Sequence, residues 1–385
     1  MTRAHRCTAP GPEELTAQRR LVYISHQLGG YDGVSIEAHK WMVAFGDLGF
    51  EVTAAAGRLL THNLAGATPL LLPSLWRPEL ASGRLGEAPL LNDSEIAAVI
   101  EAGGGPGGHA VLDNIATLPT ATDNVLRLVA ALEAAGMRML IRHHDPHWDE
   151  VTRQPDERFP IAPAGSRHVA ISGHVRDRLR EYRGIEATVC FNTLDMDLLR
   201  FGDGVGCRRS LGISARDLVL LHPATPYPRK AAGVAARFAD AVAAAWDGRV
   251  VYWLTGGSRD PLAGQGRYVF MTGRAASPAD MYAATDAVLL TSSWEGWGNP
   301  APEGAALGLP VVTGQWPALA EMRQLGLRDI PVSAPDAVAR LLSELGGRAV
   351  HRVEELRTAL DGSALSGELE ELLSIAGSPP DHAGR

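Results

Sequence analysis

Two rhythms of apolar residues alternate along this chain. Leu21-Val22-Tyr23-Ile24-Ser25 is apolar almost throughout, as a parallel strand buried on both faces requires. A glycine-rich turn follows, His26-Gln27-Leu28-Gly29-Gly30-Tyr31-Asp32-Gly33. Val34 to Leu48 then carries a helical spacing (Val34, Ala38, Trp41, Phe45, Leu48), stopped by Gly49. Glu51-Val52-Thr53-Ala54-Ala55 predicts the next strand, so residues 21–55 read as a β-α-β unit with its glycine loop at the first crossover.

The alternation continues. Strands are predicted at His109–Asp113, Arg138–Arg142, Arg167–Ser172 and Thr188–Asn192, with a helix over Thr122–Ala135. A Gly/Asp-rich stretch, Phe201 to Gly206, breaks the rhythm and is read as a linker. A second series begins at Asp217–Leu221. Its strands are expected at Val250–Thr255, Tyr268–Met271, Ala287–Thr291 and Leu309–Thr313. Its helices are expected at Ala231–Trp246, Pro278–Ala284, Ala318–Leu325, Asp336–Leu345, Arg352–Leu360 and Gly367–Ile375. The fold class is α/β: two doubly wound, Rossmann-like domains facing a cleft. The boundaries expected are a disordered leader (1–20), a first domain (21–203), a second domain (204–365), and a terminal helix and tail (366–385).

Composition narrows the function. The 385 residues carry a net charge of −8, which argues against a broad nucleic-acid footprint. Lys40 and Lys230 are the only lysines among 36 basic residues, an Arg bias that points to a GC-rich bacterial genome and singles out each lysine. Cys7, Cys190 and Cys207 are too scattered for a disulfide framework or a zinc site. Residues 1–20 lack an apolar core, and no run is long enough to span a membrane, so a cytoplasmic enzyme is expected. Oligomeric state is not legible.

The densest chemistry lies in Ser292-Ser293-Trp294-Glu295-Gly296-Trp297-Gly298-Asn299-Pro300-Ala301-Pro302-Glu303-Gly304. A buried strand precedes it and a short helical signal follows, with Pro302 suited to a first helical position and Gly308 to the stop. A helix start attracts an anion such as a diphosphate, whereas two carboxylates beside it suit the hydroxyls of a nucleotide sugar.

This segment resembles the Glu-x7-Glu motif of retaining glycosyltransferases of the GT-B fold, family 4. The resemblance rests on the Glu-Gly-aromatic-Gly run, the Pro before the second Glu and the following Gly-Leu-Pro-Val-Val. It extends over nearly the whole chain and is specific mainly over residues 286–313. It implies that Glu303 holds the ribose hydroxyls, that Glu295 lies against the transferred sugar, and that Gly296, Trp297, Gly298 and Asn299 line the donor site. It also implies that the last helix crosses back to the first domain. Gly29 and Gly30 resemble the family's N-terminal Gly-Gly loop, and Tyr31 and Asp32 beside them are assigned to the acceptor. Taken alone, such a turn is a weak signal.

Arg142-His143-His144-Asp145-Pro146-His147-Trp148-Asp149 concentrates imidazoles and carboxylates at a strand end. The family uses one His-Asp pair here. His144-Asp145 matches it best, His143 is the next choice, and His143 and Trp148 are assigned to the acceptor. The competing reading is a metal site, which the alternating directions of an extended segment disfavour.

His222 to Lys230 stands where the family places an Arg and a later Lys against the diphosphate. Lys230 matches the Lys, but Ala224 or Thr225 occupies the Arg position, leaving Arg229 as the candidate replacement. A cation there would stabilise the charge of the departing diphosphate. Gly256 and Arg274 end strands expected to shape the nucleotide pocket.

The function expected is transfer of a hexosyl group, with retention, from a UDP- or GDP-linked sugar to a hydroxyl of a small polar or natural-product acceptor. No cofactor, metal, nucleic acid or membrane span is expected. The alternatives are a sugar-nucleotide epimerase or phosphorylase of the same fold, a metal-dependent hydrolase built on His143, His144 and His147, and a nucleotide-binding protein without turnover.

Overall fold

A computed structural model describes residues 19–60, 63–77, 86–146, 156–275, 277–345 and 353–374. The expected leader up to residue 18, His147, Trp148 and the tail from residue 375 lie outside them.

The first half runs β1 (Arg19–Leu28), α1 (Gly33–Asp47), β2 (Phe50–Leu59), β3 (Thr68–Leu71), α2 (Asp93–Ala102), β4 (His109–Asp113), α3 (Thr122–Ala134), β5 (Arg138–His143), β6 (Arg167–Ala170), α4 (Gly173–Arg183) and β7 (Thr188–Val189). Its seven strands form one parallel sheet in the order β3-β2-β1-β4-β5-β6-β7. Side chains alternate across it as the pleat demands. Leu21, Tyr23, Ala54 and Val111 face α1, while Val22, Ile24, Ala55 and Leu112 face the layer of α2 and α3. Both faces are covered, which is why β1 reads as an unbroken apolar run.

After α5 (Met196–Arg200) come α6 (Gly204–Ser210), β8 (Leu218–His222), α7 (Ala232–Ala245), β9 (Val250–Leu254), β10 (Val269–Thr272), α8 (Pro278–Ala283), β11 (Ala287–Leu290), α9 (Pro300–Ala306), β12 (Val311–Thr313), α10 (Leu319–Gln324), β13 (Ile330–Pro331), α11 (Ala337–Leu345), α12 (Val353–Ala359) and α13 (Leu365–Ser374). The second sheet is also parallel, ordered β10-β9-β8-β11-β12-β13. Strand order reverses at β1/β4 and at β8/β11, and in open α/β sheets such switch points receive ligands.

The stretch read as a linker is shorter than expected. Helix α6 starts at Gly204, because the Asp203 carboxylate caps it by accepting from the Gly206 N–H at 2.7 Å. Helix α9 begins at Pro300, so Pro302 is not the first helical position, while Gly308 ends the helix at φ +79°. Helix α13 lays Leu365, Leu369 and Leu372 into the first half's core beside α1, and Cys190 Sγ donates to Glu368 Oε2 at 3.1 Å. Burying a leucine contributes roughly 1.5–3 kcal/mol, so α13 cannot lift off without substantial loss.

One hydrophobic cluster spans both halves. It joins Ile171, Val175 and Leu179 to Val288, Trp297, Trp316 and Leu319. The halves therefore meet through a packed seam beside the cleft.

Candidate active site

The cleft between the halves holds a cavity of about 350 Å³. From the first half, Tyr31, Asp32, His144 and Asn192 reach it. From the second half, Arg229, Lys230, Arg274, Tyr282, Glu295 and Glu303 reach it.

Backbone shape explains the second-half wall. Pro228–Lys230 form a 3₁₀ turn closed by Ala231 at φ +50°. In an extended segment neighbouring side chains diverge, but in this turn Arg229 and Lys230 both reach one carboxylate. Lys230 Nζ donates to Glu295 Oε1 at 2.5 Å, and Arg229 Nη1 donates to Glu295 Oε2 at 3.0 Å. Ser292 Oγ donates to Oε1 at 2.6 Å. Glu295 is buried, so these partners compensate a charge removed from water. The Arg229 guanidinium also lies over Trp294, 5.4 Å from its ring centre. Arg229 thus faces the same way as Lys230, although Ala224 and Thr225 offer no cation of their own.

Glu303 sits in the opening turn of α9 and accepts from the Tyr282 hydroxyl at 2.5 Å through Oε2. Burial raises the Glu303 carboxyl above its usual range, against the opposing pull of the Tyr282 hydrogen bond and the Lys40 charge. Tyr282 is itself raised by burial and by the adjacent carboxylate.

On the facing wall, His144 is buried, and its Nε2 lies 2.7 Å from Asp113 Oδ1. Tyr23 donates its hydroxyl to Asp113 Oδ2 at 2.7 Å. Burial pushes Asp113 upward, but the neighbouring His144 and Arg142 outweigh it and hold the carboxyl below its usual range. An ionised Asp113 accepts from Nε2–H and fixes the ring. Asp145, the expected partner of His144 in sequence, lines the cavity instead.

Gly296 makes the tightest contact between the walls. A Cβ there would stand 2.3 Å from the His144 carbonyl oxygen, so only glycine permits this approach. Trp297 stacks on Phe191, with ring centres 4.9 Å apart, and its carbonyl accepts from Trp316 Nε1 at 2.8 Å. Trp297 therefore joins the seam while edging the cavity. Gly298 and Asn299 also line it.

Several expected residues stand elsewhere. His143 turns into the interior, with Nδ1 2.8 Å from Thr117 Oγ1 and Nε2 2.9 Å from His168 Nδ1. It is fully buried and does not line the cavity, so it is not placed to meet an acceptor. His143 and His144 point to different partners, and among the described residues no group of three or more metal-ligating side chains converges. Gly29 and Gly30 also stand back from the cavity. Gly29 has φ +78°, and a Cβ there would lie 1.6 Å from the Leu60 carbonyl oxygen, so its glycine serves the turn. Gly256 packs on Thr225, and Thr255 rather than Gly256 faces the cavity. The neighbourhood includes residues the sequence reading assigned no part: Glu37, Lys40, Asp113 and Tyr282. Lys40 carried the signal of its rarity. The others carried none, because distant segments bring them together.

Residues 218–346 match the family model described as glycosyl transferases group 1. No curated protein sequence matches the chain. Among solved structures, Anabaena HepE in complex with UDP and glucose is 16% identical, with a TM-score of 0.66 over 93% of this chain and 100% of that one. Sucrose-phosphate synthase from Thermosynechococcus elongatus is 14% identical, with a TM-score of 0.61 over 94% and 100%. WaaG, a glycosyltransferase involved in lipopolysaccharide biosynthesis, is 14% identical, with a TM-score of 0.64 over 93% and 100%. The chain has the GT-B fold, and its second half carries a glycosyl transferases group 1 region.

Proposed function

We propose that this protein is a retaining glycosyltransferase of the Glu-x7-Glu type, family 4, that moves a hexosyl group from a UDP- or GDP-linked sugar to a hydroxyl of a small polar or natural-product acceptor. One observation carries the reading: two adjacent cations, Arg229 and Lys230, converge on Glu295 in the same cavity that Glu303 and His144 enter. The group 1 match over that half and the UDP-glucose complex of HepE support the choice of donor class.

The roles follow from charge. The leaving diphosphate gains negative charge as the glycosidic bond breaks, and Lys230 with Arg229 stabilises it. These fixed cations make the reaction independent of a metal or cofactor. Glu303 Oε1 receives a ribose hydroxyl while Tyr282 occupies Oε2. Glu295 accepts from hydroxyls of the sugar. His144, with its ring set by Asp113, meets the acceptor side together with Tyr31 and Asp32. Two walls closing on the donor exclude water and suppress hydrolysis. Among the described residues no helix is long and apolar enough to cross a membrane, and the enzyme is proposed to act in the bacterial cytoplasm.

Thermal melting with UDP, GDP, ADP and their sugars tests the donor, since a ligand raises stability according to its affinity. One nucleotide series is expected to stabilise the protein, and Glu303→Gln to abolish most of that gain. Proton NMR of the product with an acceptor present reads retention. Donor consumption indifferent to any acceptor would favour the epimerase or phosphorylase. Nucleotide binding without turnover would leave a binding protein.

A further inference from the structure

We infer that Arg142 is a positioning residue that locks the donor loop of the second half onto the histidine wall of the first, an inference that rests on the proposed transfer reaction for its catalytic consequence.

Arg142 is the penultimate residue of β5 and is fully buried. Its Nη2 donates to Asn192 Oδ1 at 2.8 Å and to Glu37 Oε2 at 3.4 Å. Asn192 Nδ2 donates to Asn299 Oδ1 at 2.9 Å, and Asn299 Nδ2 donates back to Glu37 Oε1 at 3.3 Å. These four side chains close a hydrogen-bonded ring. Three belong to the first half. The fourth, Asn299, lies between Glu295 and Glu303 and immediately precedes α9.

The same guanidinium reaches the other wall. Arg142 Nη1 is 3.8 Å from Asp113 Oδ2, and Asp113 orients His144. Its flat face lies 4.3 Å from the centre of the Trp41 ring. Lys40 pairs with the ring's Glu37 and donates to the Thr193 carbonyl. A planar fork with several donors can serve Glu37, Asn192 and Asp113 at once, which an ammonium cannot.

The cost of this arrangement argues that it does more than hold the fold. Among the described residues, buried Arg142 Nε and Nη1 have no hydrogen-bond partner. A buried charge with unmet donors is poor for stability, and apolar packing commonly does better. What it achieves is geometric. Ring closure requires Asn299 to be seated against α1, so the loop bearing both glutamates is held in register with His144 only when the halves meet. Glu321 of α10 supports the same meeting by accepting from the Gly173 and His174 N–H groups at 2.7 and 3.0 Å. That contact lies on α4, away from the reacting groups.

The test is a double-mutant cycle on Asn192→Ala and Asn299→Ala, with Arg142→Lys as a conservative third variant. Small-angle scattering of the unliganded proteins reads closure, melting with UDP reads nucleotide binding, and UDP release from UDP-glucose reads kcat and KM. Each variant is expected to enlarge the radius of gyration and to lower kcat by about tenfold to a hundredfold, and Arg142→Lys, at a residue that does not line the cavity, to keep the UDP-induced melting shift. The double variant is expected to be no worse than the poorer single, because one break already opens the ring. Unchanged scattering, additive effects, or loss of UDP binding by Arg142→Lys in step with kcat would overturn the inference. Should the wild type neither bind UDP nor release it, the scattering cycle still judges the ring, and the failure belongs to the transferase reading instead.

Discussion

The two walls of the cleft handle charge in opposite ways. The second-half wall concentrates it at the cavity: Arg229 and Lys230 both stand within hydrogen-bond reach of Glu295, with Trp294 beneath the guanidinium. The first-half wall keeps it back from the cavity: Arg142 pairs with Asp113 and Glu37 in the interior, His144 is tethered to Asp113, which also takes the Tyr23 hydroxyl, and burial disfavours the charged forms of His143 and of half-buried His168. A site that must accept a polyanion and then release it needs strong fixed cations on one side. A site that must only orient a neutral hydroxyl needs a directed dipole on the other. This difference fits the proposed reading, in which the second half holds the leaving group and the first half the acceptor.

The largest effect should come from discharging the cationic wall. Lys230→Ala is expected to lower kcat about a hundredfold to a thousandfold, the range found when one stabilising donor to a developing anion is removed. UDP release under saturating UDP-glucose measures it. Lys230→Ala and His144→Ala giving losses of equal size and equal salt sensitivity would break the contrast between the walls.

Glu295→Gln sharpens the contrast in the other direction. Without donor, Glu295 occupies both cations, so a diphosphate must compete with it. Neutralising it removes hydroxyl recognition of the sugar but frees Arg229 and Lys230. The expected outcome is split: kcat falls at least tenfold, while UDP binds several-fold more tightly. Calorimetric titration with UDP reads the second half of that prediction, and a weakened affinity would show that Glu295 organises the cations instead of competing for their charge.

Much of the second wall was legible because its parts are near in sequence. Glu295 to Glu303 is one loop, and Arg229-Lys230 is one turn at the end of one strand. The apolar runs of β1, β5, β8 and β11 were equally plain, since strands covered on both faces leave no polar alternation. The first wall was read less well. Sequence pointed to the pair His144-Asp145, but His144 is set by Asp113, which lies 31 positions away and meets it only through the β4–β5 pairing. His143 and His144 looked alike, and the pleat sends the two rings to opposite sides. The glycines of the Gly29-Gly30 turn suggested a ligand, whereas Gly29 answers to the Leu60 carbonyl. Short or edge elements, such as β3 and β13, had too few residues to carry a pattern.

A smaller effect is expected from Tyr282, whose hydroxyl steadies one Glu303 oxygen and opposes the upward push of burial on that carboxyl. In the proposed site the ionised Glu303 receives the ribose, so nucleotide affinity should rise with pH as Glu303 loses its proton. Tyr282→Phe removes a hydrogen bond to the charged form, and the midpoint of that rise should move to higher pH. UDP affinity measured across pH checks it. At a pH well above the midpoint the loss should be only a few-fold, the worth of about 1 kcal/mol.

The smallest effect on catalysis, and a clear one on stability, belongs to the histidines behind the first wall. Burial lowers His168 to about 4 from an ordinary 6.5, and His143 shifts the same way for the same reason. An unfolded chain therefore binds protons between those values that the folded chain refuses. Stability is whole above about 6.5 and falls as pH drops through the window toward about 4. His168→Gln deletes one of the groups that titrate there, so its melting temperature should fall less steeply over the same range, while His143, His222, His39 and His109 still contribute. Release of UDP from UDP-glucose at neutral pH should match the wild type, because among the described residues His168 hydrogen-bonds His143 and Ser166 and does not line the cavity. An acid limb of unchanged steepness would mean that the two rings share a proton in the folded protein, adding a cation beside the Arg142 and Asp113 charges already behind the first wall.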